Sequence, residues 1–160
     1  MSLTFNVKHV ERDSLRLQGE LTPVELDLEQ VDELVQFTEP VVYDLVVEKV
    51  EQDYLVQGRL STLLRCKCAR CLRAFSQNLE ISQFVVDLPT QGEEAVAVAN
   101  DSIDLTPYVR EDILLELPQH PLCEPECRGL EKQASGSVSA PEGPSSATAS
   151  VWDELNKLKL

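Results

Sequence analysis

Two runs of alternating apolar and polar residues, Val41–Val50 and Tyr54–Leu64, are joined by the polar turn Glu51-Gln52-Asp53. The second runs straight into Cys66-Lys67-Cys68-Ala69-Arg70-Cys71. Alternation with period two marks a strand that buries one face, and a short polar turn between two such runs marks an antiparallel hairpin. A fold built on this hairpin must carry its cysteines at the end of a strand. Beyond them, Phe75, Leu79 and Ile81 followed by Phe84–Leu88 read as another strand or pair of strands ended by Pro89, which places the cysteine knuckle at a strand-to-strand turn.

Other segments read in the same way. Met1–Val10 alternates through Leu3, Phe5 and Val7 and reads as a strand, without the basic start and apolar run of a leader peptide. Ser14–Glu20 and Val24–Leu28 read as half-buried strands separated by Thr22-Pro23. Val31, Leu34 and Val35 fall at helical spacing within Glu29–Phe37, a short helix that Pro40 would end. Gln91–Ser102 has the composition of an exposed loop. Thr106 is placed to cap a helix with Pro107 in its first turn and Val109, Ile113 and Leu117 on one face, stopped by Pro118. The expected fold is α+β, mainly an antiparallel sheet or open barrel with one packed helix and a short C-terminal helix. Residues 1–130 read as one domain. Residues 131–150, rich in Ser, Ala, Gly and Pro, read as a disordered linker. Residues 151–160 read as a short amphipathic helix through Trp152, Leu155 and Leu158, too short to be stable alone and so expected to dock.

The cysteines carry whatever chemistry the chain has. Cys68-x2-Cys71 is a tight pair, and Cys123-x3-Cys127 lies after a gap of 51 residues in a loop with several prolines. Four thiolates suit a tetrahedral structural zinc ion with no open position, and Cys68, Cys71, Cys123 and Cys127 are its candidate ligands. The same thiols could instead pack in the core unmetallated. Redox chemistry is the weakest reading, because no βαβ context surrounds the pair. Cys66, two residues before Cys68 on the presumed strand, reads as a buried thiol, with a spare ligand as the sharper alternative. Five cysteines without a membrane-length apolar run read as a cytoplasmic protein with reduced thiols.

Charge is distributed unevenly. The chain has 28 acids against 14 bases and a net charge of −14, yet Tyr54–Leu79 contains no Asp or Glu and five cations, Arg59, Arg65, Lys67, Arg70 and Arg73. One positive patch on a negative body can engage a polyanion in only one orientation, so these five are the candidate RNA-binding residues; the plainer reading is a solvated hairpin face. Tyr54 and Phe75 could stack on bases, although core packing is the more ordinary role for each. His9 and His120 have no partner pattern. No nucleophile elbow, phosphate loop, paired-carboxylate motif or dinucleotide fingerprint is present, which points away from an enzyme.

The order Gly58-Arg59, Cys68-Ala69-Arg70-Cys71-Leu72 with Phe75, Ile103-Asp104-Leu105 leading into Val109-Arg110-Glu111-Asp112-Ile113-Leu114-Leu115-Glu116-Leu117-Pro118, then Cys123, Cys127, Arg128 and Gly129-Leu130 resembles the YceD family of large ribosomal RNA subunit accumulation proteins. The resemblance implies a role in the accumulation or processing of large-subunit ribosomal RNA with no known catalytic activity. It also implies that Cys68, Cys71, Cys123 and Cys127 are the matched positions of a metal or structural cluster. Many members continue after Gly-Leu with a Cys-Pro-x-Cys-Gly element. Here Gly129-Leu130 runs instead into Glu131-Lys132-Gln133, so no site can use that extra pair. Trp152–Leu160 is similar to the short C-terminal helix of relatives.

The expected function is therefore a non-catalytic ribosome-biogenesis factor. Its expected partners are the large-subunit ribosomal RNA precursor or ribosomal assembly proteins, without a membrane or a small-molecule substrate. The alternative is an acidic protein-interaction module that binds a basic ribosomal protein or assembly factor and makes no RNA contact.

Overall fold

A computed structural model describes residues 2–130. The expected α+β architecture is present: most of the regular structure is antiparallel strand, and the main sheet curls into a half-barrel. In chain order the elements are β1 (Thr4–Asn6), α1 (Val7–Val10), β2 (Leu15–Leu21), β3 (Val35–Phe37), β4 (Val41–Val50), β5 (Asp53–Lys67), β6 (Ala74–Leu88), β7 (Ser102–Asp104) and α2 (Thr106–Glu116).

The hairpin predicted from alternation is β4–β5, paired from Val50↔Asp53 to Val42↔Ser61. β5 is the axis of the sheet. One edge takes β4 along its first part and β3 near its end, Val35↔Cys66 to Phe37↔Leu64, while its other edge pairs with β6 from Tyr54↔Leu88 to Lys67↔Ala74. β2 completes the sheet beyond β4. The expected strand or pair of strands after the knuckle is the single strand β6, with a register shift opposite Gly58–Leu60.

Alternation along β5 separates the core from the surface. Tyr54, Val56, Leu60, Thr62, Leu64 and Cys66 are buried, whereas Gln57, Arg59, Leu63, Arg65 and Lys67 are exposed. Phe84 and Leu88 from β6, Leu45 and Val47 from β4, and Val109 and Ile113 from α2 meet the inward set. Gly58 marks the closest backbone approach in the sheet. A Cβ there would lie 2.1 Å from the Asp44 carbonyl oxygen and 2.8 Å from Leu45 Cα, so no side chain fits.

Four local expectations are corrected. Val24–Leu28 is a helical turn and not a strand: the Leu26 and Leu28 N–H groups donate to the carbonyls of Thr22 (3.2 Å) and Pro23 (2.9 Å). Its cause is a reciprocal cap, Thr22 N–H to Glu25 Oε2 (2.7 Å) and Glu25 N–H to Thr22 Oγ1 (3.3 Å), with Asp27 reversing the chain at φ 50°. Glu29–Phe37 forms no helix. Asp32 Oδ1 accepts from Leu34 N–H at 2.6 Å, a local turn that competes with helix, and Val35 and Phe37 then alternate into the core as β3. The N-terminal strand is shorter than Met1–Val10, because Asn6 Oδ1 accepts from Lys8 N–H (3.0 Å) and caps α1. Thr106 is not the cap of α2. Its N–H donates to Asp104 Oδ1 (2.9 Å) and its hydroxyl accepts from Leu3 N–H (2.9 Å), which ties the helix start to the N-terminal segment. The expected linker 131–150 and helix 151–160 lie outside the described residues.

Gly58→Ala is expected to destabilise the fold by about 1–3 kcal/mol, because the obstacle is backbone that cannot move cheaply. Gly19→Ala meets only the end of the Tyr43 side chain, at 2.6 Å from its oxygen, and should cost less. Thermal unfolding of both variants checks the order; equal losses would refute the close-approach argument.

Candidate metal centre at the cysteine knuckle

The β5–β6 hairpin ends in Cys68-Ala69-Arg70-Cys71-Leu72-Arg73. Two backbone bonds fold this turn tightly: Leu72 N–H donates to the Cys68 carbonyl and Cys68 N–H to the Arg73 carbonyl, both at 2.9 Å. The turn ends with Leu72 in the left-handed region at φ 61°. The second pair arrives from the segment after α2. Pro121 is buried, its carbonyl accepts from Ala69 N–H at 2.7 Å, and Arg70 Nη1 donates to the Cys127 carbonyl at 2.9 Å. Arg70 thus braces one cysteine loop against the other. Gly129 passes close enough that a Cβ would sit 3.6 Å from the Arg70 carbonyl oxygen, at a φ of 90° that favours glycine.

The four expected cysteines come together across the long gap in sequence. Their sulphurs all lie within 4.8 Å of one another, with Cys68 Sγ 3.7 Å from Cys127 Sγ and Cys71 Sγ 3.6 Å from Cys123 Sγ. A disulfide would hold two sulphurs about 2.05 Å apart. Four thiolates around one ion at about 2.3 Å, in tetrahedral directions, would be separated by about 3.8 Å. The spacing fits the second arrangement, and the set could bind a metal. Cys66 stands apart in the core, 1 % exposed and paired across strands with Val35 and Phe75, as its buried-thiol reading expected.

The thiols differ in acidity. The Cys71 N–H aimed at the Cys68 sulphur, assisted by the N–H groups of Cys123 and Arg70, lowers the Cys68 pKa to about 6 against the opposing effect of burial. Cys123 is pushed up to about 12, first by burial and then by the thiols of Cys71, Cys68 and Cys127. At Cys127 the Gly129 N–H acts to lower the pKa, but burial and the neighbouring thiols outweigh it and the net shift is upward. Burial, with Asp32 nearby, raises Cys66. A site with one ready thiolate and crowded protonated partners is what an incoming cation would discharge of protons.

All five candidate RNA-binding cations are exposed, but the fold does not group them evenly. Arg65 and Lys67 occupy the outer face of β5, opposite the side that carries Cys66 toward the core. Their cross-strand neighbours are Gln36 and Ser76 for Arg65 and Ala74 for Lys67, none of them acidic. Arg70 and Arg73 flank the cysteine turn. Arg59 lies six residues back along β5, about 20 Å from Arg65. It stands opposite Asp44, whose carboxylate is held low first by its bond from Arg16 (Nε to Oδ1, 2.8 Å) and also by Arg59. Folding also adds charges that the linear stretch lacks. The hollow beside the sulphurs is lined by Arg73, Glu124, Glu126 and Arg128 with Leu130. Tyr54 and Phe75 serve the core: Tyr54 is 6 % exposed with its ring edge-on to Phe5, centroids 5.7 Å apart, and Phe75 packs half-buried against the same cluster. Among the described residues, no helix is long and apolar enough to cross a membrane.

The sequence pattern of the large ribosomal RNA subunit accumulation proteins matches residues 56–159. The chain belongs to the YceD family. It is similar to uncharacterized proteins of Mycobacterium tuberculosis and Mycobacterium bovis, 30% identical over 108 residues, covering 62% of this chain and 52% of theirs. A Mycobacterium leprae protein, also uncharacterized, is 28% identical over 134 residues, 78% of this chain and 62% of the relative. The chain thus spans about half to three-fifths of the length of these relatives. No solved structure matches it. The family is named for accumulation of a ribosomal RNA subunit and not for a reaction.

Metal affinity is expected to rise with pH by at least about 100-fold per unit near neutrality, because Cys123 and Cys127 must release protons on binding. Competition of zinc between the protein and a chromogenic chelator from pH 6.5 to 7.5 checks this, and an affinity independent of pH would refute it.

Proposed function

We propose that the protein is a non-catalytic factor supporting accumulation or processing of large-subunit ribosomal RNA, and that it meets RNA phosphates through the outer face of the β5–β6 hairpin beside the knuckle. A structural zinc ion held by Cys68, Cys71, Cys123 and Cys127 would lock that hairpin end to the segment after α2. The observation that carries this reading is the separation of charge by strand alternation. A divalent ion on four thiolates leaves a net charge of −2, and Glu124 and Glu126 lie beside it. Arg65 and Lys67 are on the opposite face of β5, where their immediate partners are Gln36, Ser76 and Ala74. These two cations are therefore presented away from the thiolates and not spent on neutralising them, whereas Arg73 and Arg128 line the hollow beside the sulphurs.

The zinc ion would have no open coordination position, so its contribution is rigidity. The RNA contacts are to phosphate, with neutral polar neighbours able to add hydrogen bonds to sugar or base edges. Arg70 acts differently from the other cations, since its guanidinium already holds the Cys127 carbonyl. Arg59, far along the strand and facing Asp44, supports a longer footprint and not the knuckle itself. The family's name supports the ribosomal RNA destination.

Arg65→Glu with Lys67→Glu should weaken binding to large-subunit ribosomal RNA fragments at least 10-fold without changing metal content. Wild-type affinity should fall with salt at a slope corresponding to about two to four phosphate contacts. Fluorescence anisotropy over a salt series, with metal content measured by mass spectrometry, provides the check; a flat salt response or an unaffected double variant refutes phosphate docking at this face. Cys123→Ser should abolish stoichiometric zinc, whereas Cys66→Ala should retain it.

A further inference from the structure

We propose that the outer edge of β6, from Glu80 to Leu88, is a docking site for an extended, basic polypeptide segment that adds to the sheet as a further strand. Among the described residues, β6 is a 15-residue strand paired on one side only. Among the described residues, no backbone N–H or carbonyl of Ala74–Leu88 has a hydrogen-bond partner outside the ladder to β5. Exposed edges of this kind are normally blunted by charged side chains, most often lysine, by proline, by a bulge or by a covering element. β6 contains neither lysine nor proline, and its only charges are Glu80 and Asp87. The shift in register opposite Gly58–Leu60 places a bulge at Ser82 and Gln83, which interrupts the edge there and leaves Phe84–Leu88 as a regular stretch beyond it.

The chemistry of the occupant follows from two observations. Ile81 and Val86 are only half-buried against the core, so an added strand that alternates apolar residues inward would complete their cover. The surroundings are also acidic. From Ala74 to Pro118 the chain has nine acidic residues and one base, Arg110, and that guanidinium is turned to the Leu26 carbonyl at 3.0 Å and to Asp27. α2, which lies against β6, carries Glu111, Asp112 and Glu116 with no base in its last turn. Burial first, and then the neighbouring carboxylates of Glu116 and Glu111, raise the Asp112 pKa. Arg59 stands beside Ser82 and Gln83, but with Glu48 in the same hollow and Glu80 and Asp87 on β6 the acids outnumber it, so charge still directs a basic segment toward the Glu80–Leu88 half and away from Arg65 and Lys67 at the knuckle end. A second copy of this chain, at a net charge of −14, is the less favoured occupant. Strand addition supplies affinity through the backbone, and the alternate basic side chains supply selectivity.

The test uses the full chain, isotope-labelled, with a nine-residue peptide of alternating lysine and valine as probe. Binding should slow amide exchange along the outer edge of β6 at least 10-fold. The same peptide N-methylated at alternate positions, or with glutamate replacing lysine, should not do so. Glu80→Lys with Asp87→Lys, both exposed positions, should weaken the lysine peptide at least 5-fold and leave metal content unchanged. Equal binding of the N-methylated peptide without protection of β6 would reduce the contact to nonspecific attraction and overturn the proposal. Protection that grows with protein concentration alone would assign the edge to a second copy, and protection by an RNA oligonucleotide would assign it to nucleic acid; either overturns the polypeptide occupant. The peptide readouts use neither the cysteines nor Arg65 and Lys67, and metal content serves only as a control that the variant is folded, so the outcome is independent of RNA docking at the knuckle.

Discussion

The register of β5 is the constraint on which the other features depend. One strand of 15 residues pairs with β4, β3 and β6, and its side chains alternate between the core and the surface. A slip of one residue would exchange Leu60, Leu64 and Cys66 for Arg59, Leu63 and Arg65, burying unpaired cations whose desolvation the sheet could not offset. Gly58 enforces that register from inside, since only a residue without Cβ can stand against the Asp44 carbonyl. The hydrophobic pattern and the glycine specify the same alignment by different means, one by burial and one by exclusion. Because Cys68 directly follows the strand, this alignment also decides the side on which the sulphurs lie.

The cysteine centre extends that order to parts of the chain the sheet does not reach. Pro121, Cys123 and Cys127 belong to a segment without regular structure, and what holds it is the Ala69–Pro121 bond, the Arg70–Cys127 bond and the meeting of four sulphurs. Closing a gap of 51 residues costs chain entropy that a few hydrogen bonds offset poorly, whereas a multivalent metal centre could offset it well. The residue following Cys71 shows how firmly the turn is imposed. Leu72 is held at φ 61° and 58 % exposed, so no burial of its side chain compensates for a left-handed backbone. The tight bonds on either side of it, and the geometry that the two sulphurs require, fix the turn instead.

Much of this was legible in the sequence wherever the signal was local and repeated. The β4–β5 hairpin, the turn between β5 and β6, and the burial of Val109 and Ile113 on α2 all follow from periodicity. The failures occurred where a side chain bonds its own backbone over two or three residues. Thr22 with Glu25, Asp32 with Leu34 and Asn6 with Lys8 each redirect the chain against the apolar pattern; Thr22-x-x-Glu25 could have been recognised as a capping box before a short helical turn. The pairing of β1 with β7 and the bond from Leu3 to Thr106 join residues about a hundred positions apart, which no local pattern encodes. At the centre, spacing identified the four cysteines, but not that Arg70 would serve as a brace, or that Glu124 and Glu126 would lie beside a stretch with no acids of its own.

Those two carboxylates change how the charge of the molecule should be understood. In the linear sequence, cations and cysteines share one positive segment, and the simplest picture is a single patch centred on the knuckle. In three dimensions the thiols and the acids of the second loop occupy one side of the hairpin end, and Arg65 and Lys67 occupy the other. Attraction between unit charges falls from several kcal/mol at a desolvated contact to about 1 kcal/mol at 4 Å in water, so what a polyanion experiences is set by the nearest face and not by the sum over the segment. The same reasoning applies farther along β6, where Glu80 and Asp87 face solvent on either side of the position opposite Arg59. A single hairpin therefore presents a cationic end and a half in which acids outnumber the one cation, and a polyanion docked as proposed would be oriented as much by the acids that repel it as by the arginine and lysine that attract it.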